Sequence, residues 1–143
     1  MTLSNHTSLE SLFDLVHALK QQMHKQIEAL DLSITTMHVR AIGIIAEQSP
    51  CTASDVANFL KRDKAQVTRL MNALIEQGFI AKETNPQDKR SQCLYITDEA
   101  KTLLKQIKTI EKNVLAKMST NISMEKLEEF QQVTKQLTRN LLS

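Results

Sequence analysis

Apolar residues recur three and four apart over most of the chain. Leu9, Leu12, Val16, Leu19, Met23, Ile27 and Leu30 form one narrow stripe. It predicts a helix from Ser8, an N-cap residue type, to about Leu30. A stripe this long and narrow suits packing against another long helix. Asp31-Leu32-Ser33 breaks the pattern. A second helix is predicted from about Thr35 to Gln48, with Val39, Ile42, Ile45 and Ala46 inward and Ser49-Pro50 ending it. Thr52-Ala53-Ser54-Asp55 reads as a capping-box-like start of a short third helix, with Ser54 as the alternative cap and Val56, Ala57 and Leu60 inward. The fourth starts at about Asp63 as N-cap and stops at Gly78, with Val67, Leu70, Met71 and Leu74 as its stripe.

Beyond Gly78 the period changes. Phe79 to Thr84 reads as a strand, Asn85-Pro86-Gln87-Asp88-Lys89-Arg90 as a turn and Ser91 to Ile96 as the return strand. A lone hairpin is barely stable in water, so it must lean on the helices. Thr97 caps a long fifth helix with Asp98 and Glu99 in its first turn and Leu103, Ile107, Ile110, Val114 and Met118 inward. Ser119 to Ile122 is a break. Ser123 then caps a sixth helix with the stripe Leu127, Phe130, Val133 or Thr134, Leu137 and Leu141. The predicted class is mainly α: six helices with a small β-hairpin.

Composition agrees, because two glycines, two prolines and 3% aromatic residues leave little room for a large sheet. A length of 143 residues favours one domain. No apolar run approaches the ~20 residues that span a membrane, and Met1 to Thr7 lacks the features of a signal peptide. Cys51 and Cys93, far apart in sequence, do not make a disulfide framework. A cytoplasmic, reducing location is the expectation.

The net charge of +2 says less than its distribution. Residues 1–50 carry three basic groups against five acidic ones, and residues 51–97 carry seven against five. The basic groups of the middle segment cluster at Lys61, Arg62, Lys64 and Arg69, then at Lys82, Lys89 and Arg90. Such clustering is a modest phosphate-binding footprint; the plainer reading of any one of these residues is solvated surface.

The two short helical patterns that meet at Lys61-Arg62 leave the few-residue gap of a helix-turn-helix. At about 100° per residue, the face of the fourth helix opposite its stripe holds Ala65, Thr68, Arg69 and Asn72, with Gln66 at the edge. Arg grips guanine bidentately, Asn or Gln grips adenine, and Ala or Thr methyls touch thymine. This helix is therefore expected in a DNA major groove, with the hairpin as a wing beside it. The first and last helices keep apolar stripes that need a partner. A second copy of the chain is the simplest one, and a two-fold dimer presents two recognition helices to a palindromic site.

Other constellations read as structural. His17 and His24 lie a heptad apart with Glu28 four residues further on, a possible metal edge that reads more simply as polar residues flanking the stripe, since no further ligand is evident nearby. His38 reads as a satisfied or solvent-facing histidine. Lysines 101, 105, 108 and 112 make a basic face that is more often solvation than contact. Cys51 precedes a helix start, where the dipole lowers a thiol pKa, and Cys93 lies on the return strand, so either is a candidate redox site; the alternative is a small buried hydrophobe. No Gly-rich phosphate loop, HExxH, C-x-x-C or G-x-S-x-G is found, which argues against an enzyme and against a cofactor or metal.

Asp88-Lys-Arg90-Ser-Gln-Cys-Leu94-Tyr-Ile96-Thr97 resembles the D-x-R-x-x-x-L-x-L-T wing signature of the MarR family of transcription regulators. Ile34-Thr35 up to Ile42 is similar to the family's L-T-x-x-Q-x-x-x-L, with His38 where that pattern has Gln. Val67-Thr68-Arg69-Leu70 through Leu74, then Gly78-Phe79-Ile80, resembles its recognition helix and following strand. The resemblance covers essentially the whole chain. It implies a single domain over 1–143, with a winged helix-turn-helix DNA-binding lobe at about 35–97 and dimerisation helices at about 8–30 and 98–143. It also implies a homodimer on palindromic promoter DNA, frequently controlled by small phenolic or other amphipathic ligands or by cysteine oxidation. By position, Thr68 and Arg69 should meet bases or phosphates, Arg90 should reach toward the minor groove, and Asp88 should orient the wing by pairing with a nearby Arg.

The leading expectation is a repressor released by an amphipathic or phenolic ligand bound between the dimer helices and the DNA-binding lobe. The alternatives are a redox sensor of the same fold and a winged-helix protein-interaction module without DNA binding. The DNA-contact set comprises Lys61, Arg62, Lys64, Ala65, Gln66, Thr68, Arg69, Asn72, Asp88, Lys89 and Arg90.

Overall fold

Most of the predicted caps form, and they set the element boundaries. The computed structural model describes residues 5–143, with side chains from Leu9 onward. Its elements in chain order are α1 (Asn5–Glu28), α2 (Thr36–Glu47), α3 (Ala53–Leu60), α4 (Lys64–Glu76), β1 (Ile80–Asn85), β2 (Asp88–Ile96), α5 (Asp98–Met118) and α6 (Met124–Leu142). This is the expected six helices and one antiparallel hairpin.

Thr35 caps α2, its hydroxyl accepting from His38 N–H while His38 Nδ1 accepts from Thr35 N–H at 2.9 Å. Thr52 and Asp55 make the same reciprocal pair at α3. Each box satisfies two donors that the helix leaves unpaired. Thr97 and Ser123 cap α5 and α6 through their hydroxyls. Two termini depart from expectation. Helix α1 begins at Asn5, so Ser8 lies inside it rather than capping it. The first stripe residue marks where burial could begin, not where backbone hydrogen bonding does. At its other end α1 stops at Glu28, and Asp31 and Ser33, both left-handed at φ 54° and 52°, turn the chain into α2.

The core lies where α2, α3, α4 and α5 meet the hairpin. Ile42, Ile45, Val56, Val67, Leu74 and Leu103 are almost fully buried there. Burial of each such side chain stabilises by roughly 1.5–3 kcal/mol. No polar or charged side chain is buried among the described residues, so this core carries no desolvation penalty of that kind.

The hairpin pairs Ile80 with Ile96 and Lys82 with Leu94, then shifts register after Thr84 so that Asn85 faces Asp88. The turn is thus tighter than the six residues expected: Pro86 and Gln87 alone connect the strands, and Asp88, Lys89 and Arg90 belong to β2. Side chains draw it in. Asn85 Oδ1 accepts from Gln87 N–H and Asn85 Nδ2 donates to Ser91 Oγ, each at 3.0 Å. The hairpin leans on the helices through a contact that periodicity did not predict. Leu94 N–H donates to Cys51 O at 2.8 Å, an antiparallel bridge that ties the residue before the α3 cap to β2.

Candidate nucleic-acid interface

Helix α4 is anchored by its stripe and free on its other side. Val67, Met71 and Leu74 are buried and Leu70 is half-buried, while Lys64, Ala65, Gln66, Thr68, Arg69 and Asn72 are all exposed. Asp63 occupies the N-cap position with extended backbone but makes no side-chain cap bond. Helix α4 ends where Gly78 adopts φ 83°, a left-handed conformation that suits glycine. Thr68 Oγ1 donates to Lys64 O at 2.9 Å. Its proton is used within the helix, which leaves an acceptor and a methyl for a base edge.

The turn before α4 closes through Lys61, left-handed at φ 53°, and Arg62 N–H donates to Ala57 O at 3.1 Å. This brings α3 and α4 together with Lys61 exposed at the corner.

A concave surface of about 450 Å³ joins α4 to the wing. Lys64, Thr68 and Asn72 line it from α4, Thr52 and Ser54 from the start of α3, and Lys82, Lys89, Arg90 and Gln92 from the hairpin. Four cations face one groove that also holds hydroxyl and amide groups. That combination suits a phosphate backbone beside base edges. Lys61, Ala65, Gln66, Arg69 and Asp88 are exposed but do not line the groove. Ser54 and Gln92 line it without having been singled out from sequence; neither carries a charge, and only the fold brings them beside α4.

One expected role changes, and one expected contact residue lines a different groove. Asp88 orients the wing through the backbone: its Oδ1 accepts from Arg90 N–H at 3.0 Å, and among the described residues it forms no ion pair with an Arg. The carboxylate two residues ahead is already engaged by the local turn. Arg62 does not line the α4–wing groove. It lines a second, larger groove of about 1070 Å³ between α1, α2 and α5. It directly follows the left-handed Lys61 in the connection between α3 and α4.

Of the two readings of Cys51, the small buried hydrophobe fits the structure and the activated thiol does not. Cys51 precedes the capping residue and is 2% exposed. Burial first, then the Asp55 carboxylate and Cys93, push its thiol up to about 11. Cys93 is buried as well. A protonated, shielded thiol is a poor nucleophile. His24 Nε2 and Glu28 Oε2 lie 3.7 Å apart on the exposed side of α1, and no group of three metal-ligating side chains occurs among the described residues. No helix among them is long and apolar enough to cross a membrane.

The MarR family model matches residues 32–91, from the approach to α2 through the wing. The transcriptional regulator BilQ of Clostridioides difficile (strain CD3) is 35% identical over 75 residues, which is 52% of this chain; the match spans about half of that relative's length, 48%. Among solved structures, a MarR regulator from Methanosarcina mazei Go1 superimposes with a TM-score of 0.79 at 17% identity, over 96% of this chain and 98% of that one. A mutant MepR from S. aureus, bound to an oligodeoxyribonucleotide, does so with a TM-score of 0.67 at 23% identity, over 93% and 97%. These likenesses show the fold, including α1 and α6, which lie outside the family match. Over residues 32–91 the chain is thus similar to the MarR family, and its fold is that of the solved MarR structures.

Proposed function

We propose that the chain acts as a homodimeric, sequence-specific DNA-binding repressor. In this reading α4 enters the major groove, with Arg69, Thr68, Asn72, Gln66 and Ala65 toward base edges and Lys61 and Lys64 toward phosphates. Lys89 and Arg90 follow the flanking minor groove, where narrow A·T-rich sequence attracts Arg. The observation that carries it is the shared groove of Lys64, Thr68, Asn72, Lys82, Lys89 and Arg90, which sets the polar face of α4 and the wing cations on one surface. The domain boundaries follow: a DNA-binding lobe at about 35–97 and dimerisation helices on either side. An amphipathic ligand in the groove between α1, α2 and α5 favours a dimer with the wrong spacing between recognition helices. It must bind that form more tightly than the DNA-bound form to shift the equilibrium.

Selection of bound duplexes from a random pool tests the reading. A palindromic consensus with half-sites about one helical turn apart is expected. On that site Arg69→Ala should cost about 1–3 kcal/mol while changing affinity for random DNA little. Arg90→Ala should weaken binding most where the flanks are A·T-rich. Failure to enrich any sequence, with no salt-dependent binding, would turn the assignment to a protein-interaction module.

A further inference from the structure

We propose that the groove between α1, α2 and α5 takes a small soluble amphiphile with an apolar body and a doubly charged head of the phosphate-monoester class, and that Arg62 holds that head. The inference rests on reading this groove as the effector site and narrows the ligand class.

Charge is the first argument. Lys20, Arg40, Arg62, Lys101, Lys105 and Lys108 line the groove, against the carboxylates of Glu47 and Glu111. Lys101 pairs with Asp98 at 3.7 Å, whereas the other five cations form no ion pair among the described residues. Clustered like charges raise a positive potential that concentrates anions, and a dianion gains more from it than a monoanion. The floor is the second argument. Met23, Ile27, Met37, Val39, Leu104 and Ile107 supply an apolar surface beneath the cations, so the ligand needs an apolar body as well as a charged head. Size is the third. At about 1070 Å³ the groove stands at the upper end of small-molecule sites. A phenolic monoacid would leave most of it to water and most of its cations without a counter-charge.

Arg62 is singled out by position. It follows the left-handed Lys61 in the connection between α3 and α4, one residue before the N-cap of α4. The other lining cations belong to α1, α2 and α5. A planar guanidinium grips phosphate oxygens in a two-pronged manner that a lysine cannot match. A head held by Arg62 and the α5 lysines therefore joins the start of the recognition helix to α5. This is a route by which occupancy reaches the DNA face.

The test is calorimetric titration of the full chain with hexyl phosphate, hexanoate, hexanol, salicylate and inorganic phosphate, at a pH where the monoester is a dianion. Hexyl phosphate should bind about ten-fold tighter than hexanoate or salicylate, and hexanol and inorganic phosphate more weakly still. Arg62→Ala should lower hexyl phosphate affinity about ten-fold, Arg62→Lys should restore only part of it, and the exposed α6 variant Lys126→Ala should leave it unchanged. Circular dichroism of each variant checks that it folds. Equal binding of hexanoate or salicylate, no binding of hexyl phosphate, insensitivity to Arg62→Ala, or binding only to phosphatidic acid vesicles would each overturn the proposal. Each leaves the DNA selection untouched, and a failed selection would overturn the regulator reading whichever ligand binds.

Discussion

At the scale of single residues, His38 shows how a side chain that reads as inert in sequence acquires a defined job. It occupies the third position of α2, where a Glu or Gln commonly completes a capping box. His38 does so through Nδ1, which can accept from Thr35 N–H only while that nitrogen is unprotonated. Burial lowers its pKa from the ordinary 6.5. With the folded value below the unfolded one, the unfolded chain binds the extra proton. Stability from this site is therefore full above about pH 6.5, falls as pH drops through that value toward the folded pKa, and levels off below it. Denaturant melts across this range should show that slope, and His38→Gln, which keeps the acceptor and cannot titrate, should flatten it. Sequence placed His38 correctly on α2 but could not assign its partner, because nothing in periodicity says which ring nitrogen meets which backbone group. Arg62 is the opposite lesson: its charge and its place in a basic cluster grouped it with the DNA contacts, and the fold sets it in the lining of the groove between α1, α2 and α5, a placement no sequence pattern encodes.

Among the elements, the helices were legible because each carries a stripe at helical spacing and most carry a cap that forms as written. Thr52, Thr97 and Ser123 cap the helices they precede, and Thr35, read as the first residue of its helix, turns out to be a cap as well. The wing was legible in kind but not in extent: the hydrogen bonds of Asn85 and Asp88 that shorten its turn are local side-chain choices that strand patterns do not encode. The bridge from Cys51 to Leu94 joins segments 43 residues apart and left no sequence signal. The helix-turn-helix connection holds a removable strain. Left-handed backbone costs a non-glycine residue roughly 1–2 kcal/mol, and Lys61 bears it at φ 53°. Lys61→Gly relieves it but adds about 0.5–1 kcal/mol of unfolded-state entropy. A net gain of about 0.5–1 kcal/mol is expected in the urea midpoint. Loss of stability instead would mean that the lysine side chain makes a contribution larger than the strain.

For the whole molecule, the outstanding feature is how much apolar surface the single chain leaves uncovered at its two ends. Helix α6 has no buried residue, and Phe130, Leu137 and Leu141 stand 51%, 53% and 87% exposed. Leu9, Leu12, Phe13 and Val16 of α1 are exposed as well. A patch of this kind marks an interaction site. If it is covered by a second copy, Leu137→Asp should yield monomers with native helix content or should prevent folding, and Leu12→Asp should do the same. Sedimentation of the unmodified chain as a stable monomer at micromolar concentration would remove the dimer. Sequence gave the stripes; which of them closes on the chain itself and which remains open depends on tertiary packing, and here α5 buries its stripe through Val114 while α6 buries none.

One hydroxyl has mechanical importance out of proportion to its size. Thr97 Oγ1 accepts from Ala100 N–H at the start of α5 and donates to Gly78 O, 2.6 Å away, just past the end of α4. The two helix ends thus share one pin, a single hydroxyl bonded to both. With 13 residues, α4 is a rod of about 20 Å, and a tilt of about 6° at the pin swings its far end by about 2 Å. That travel rivals the tolerance of a hydrogen bond to a base edge. Thr97→Val should therefore uncouple the ends: ligand should still bind, but its effect on DNA affinity should shrink, whereas Thr97→Ser, which keeps both bonds, should retain it. Equal ligand response in all three proteins, read by fluorescence anisotropy on the selected site, would show that motion reaches the DNA face by another route.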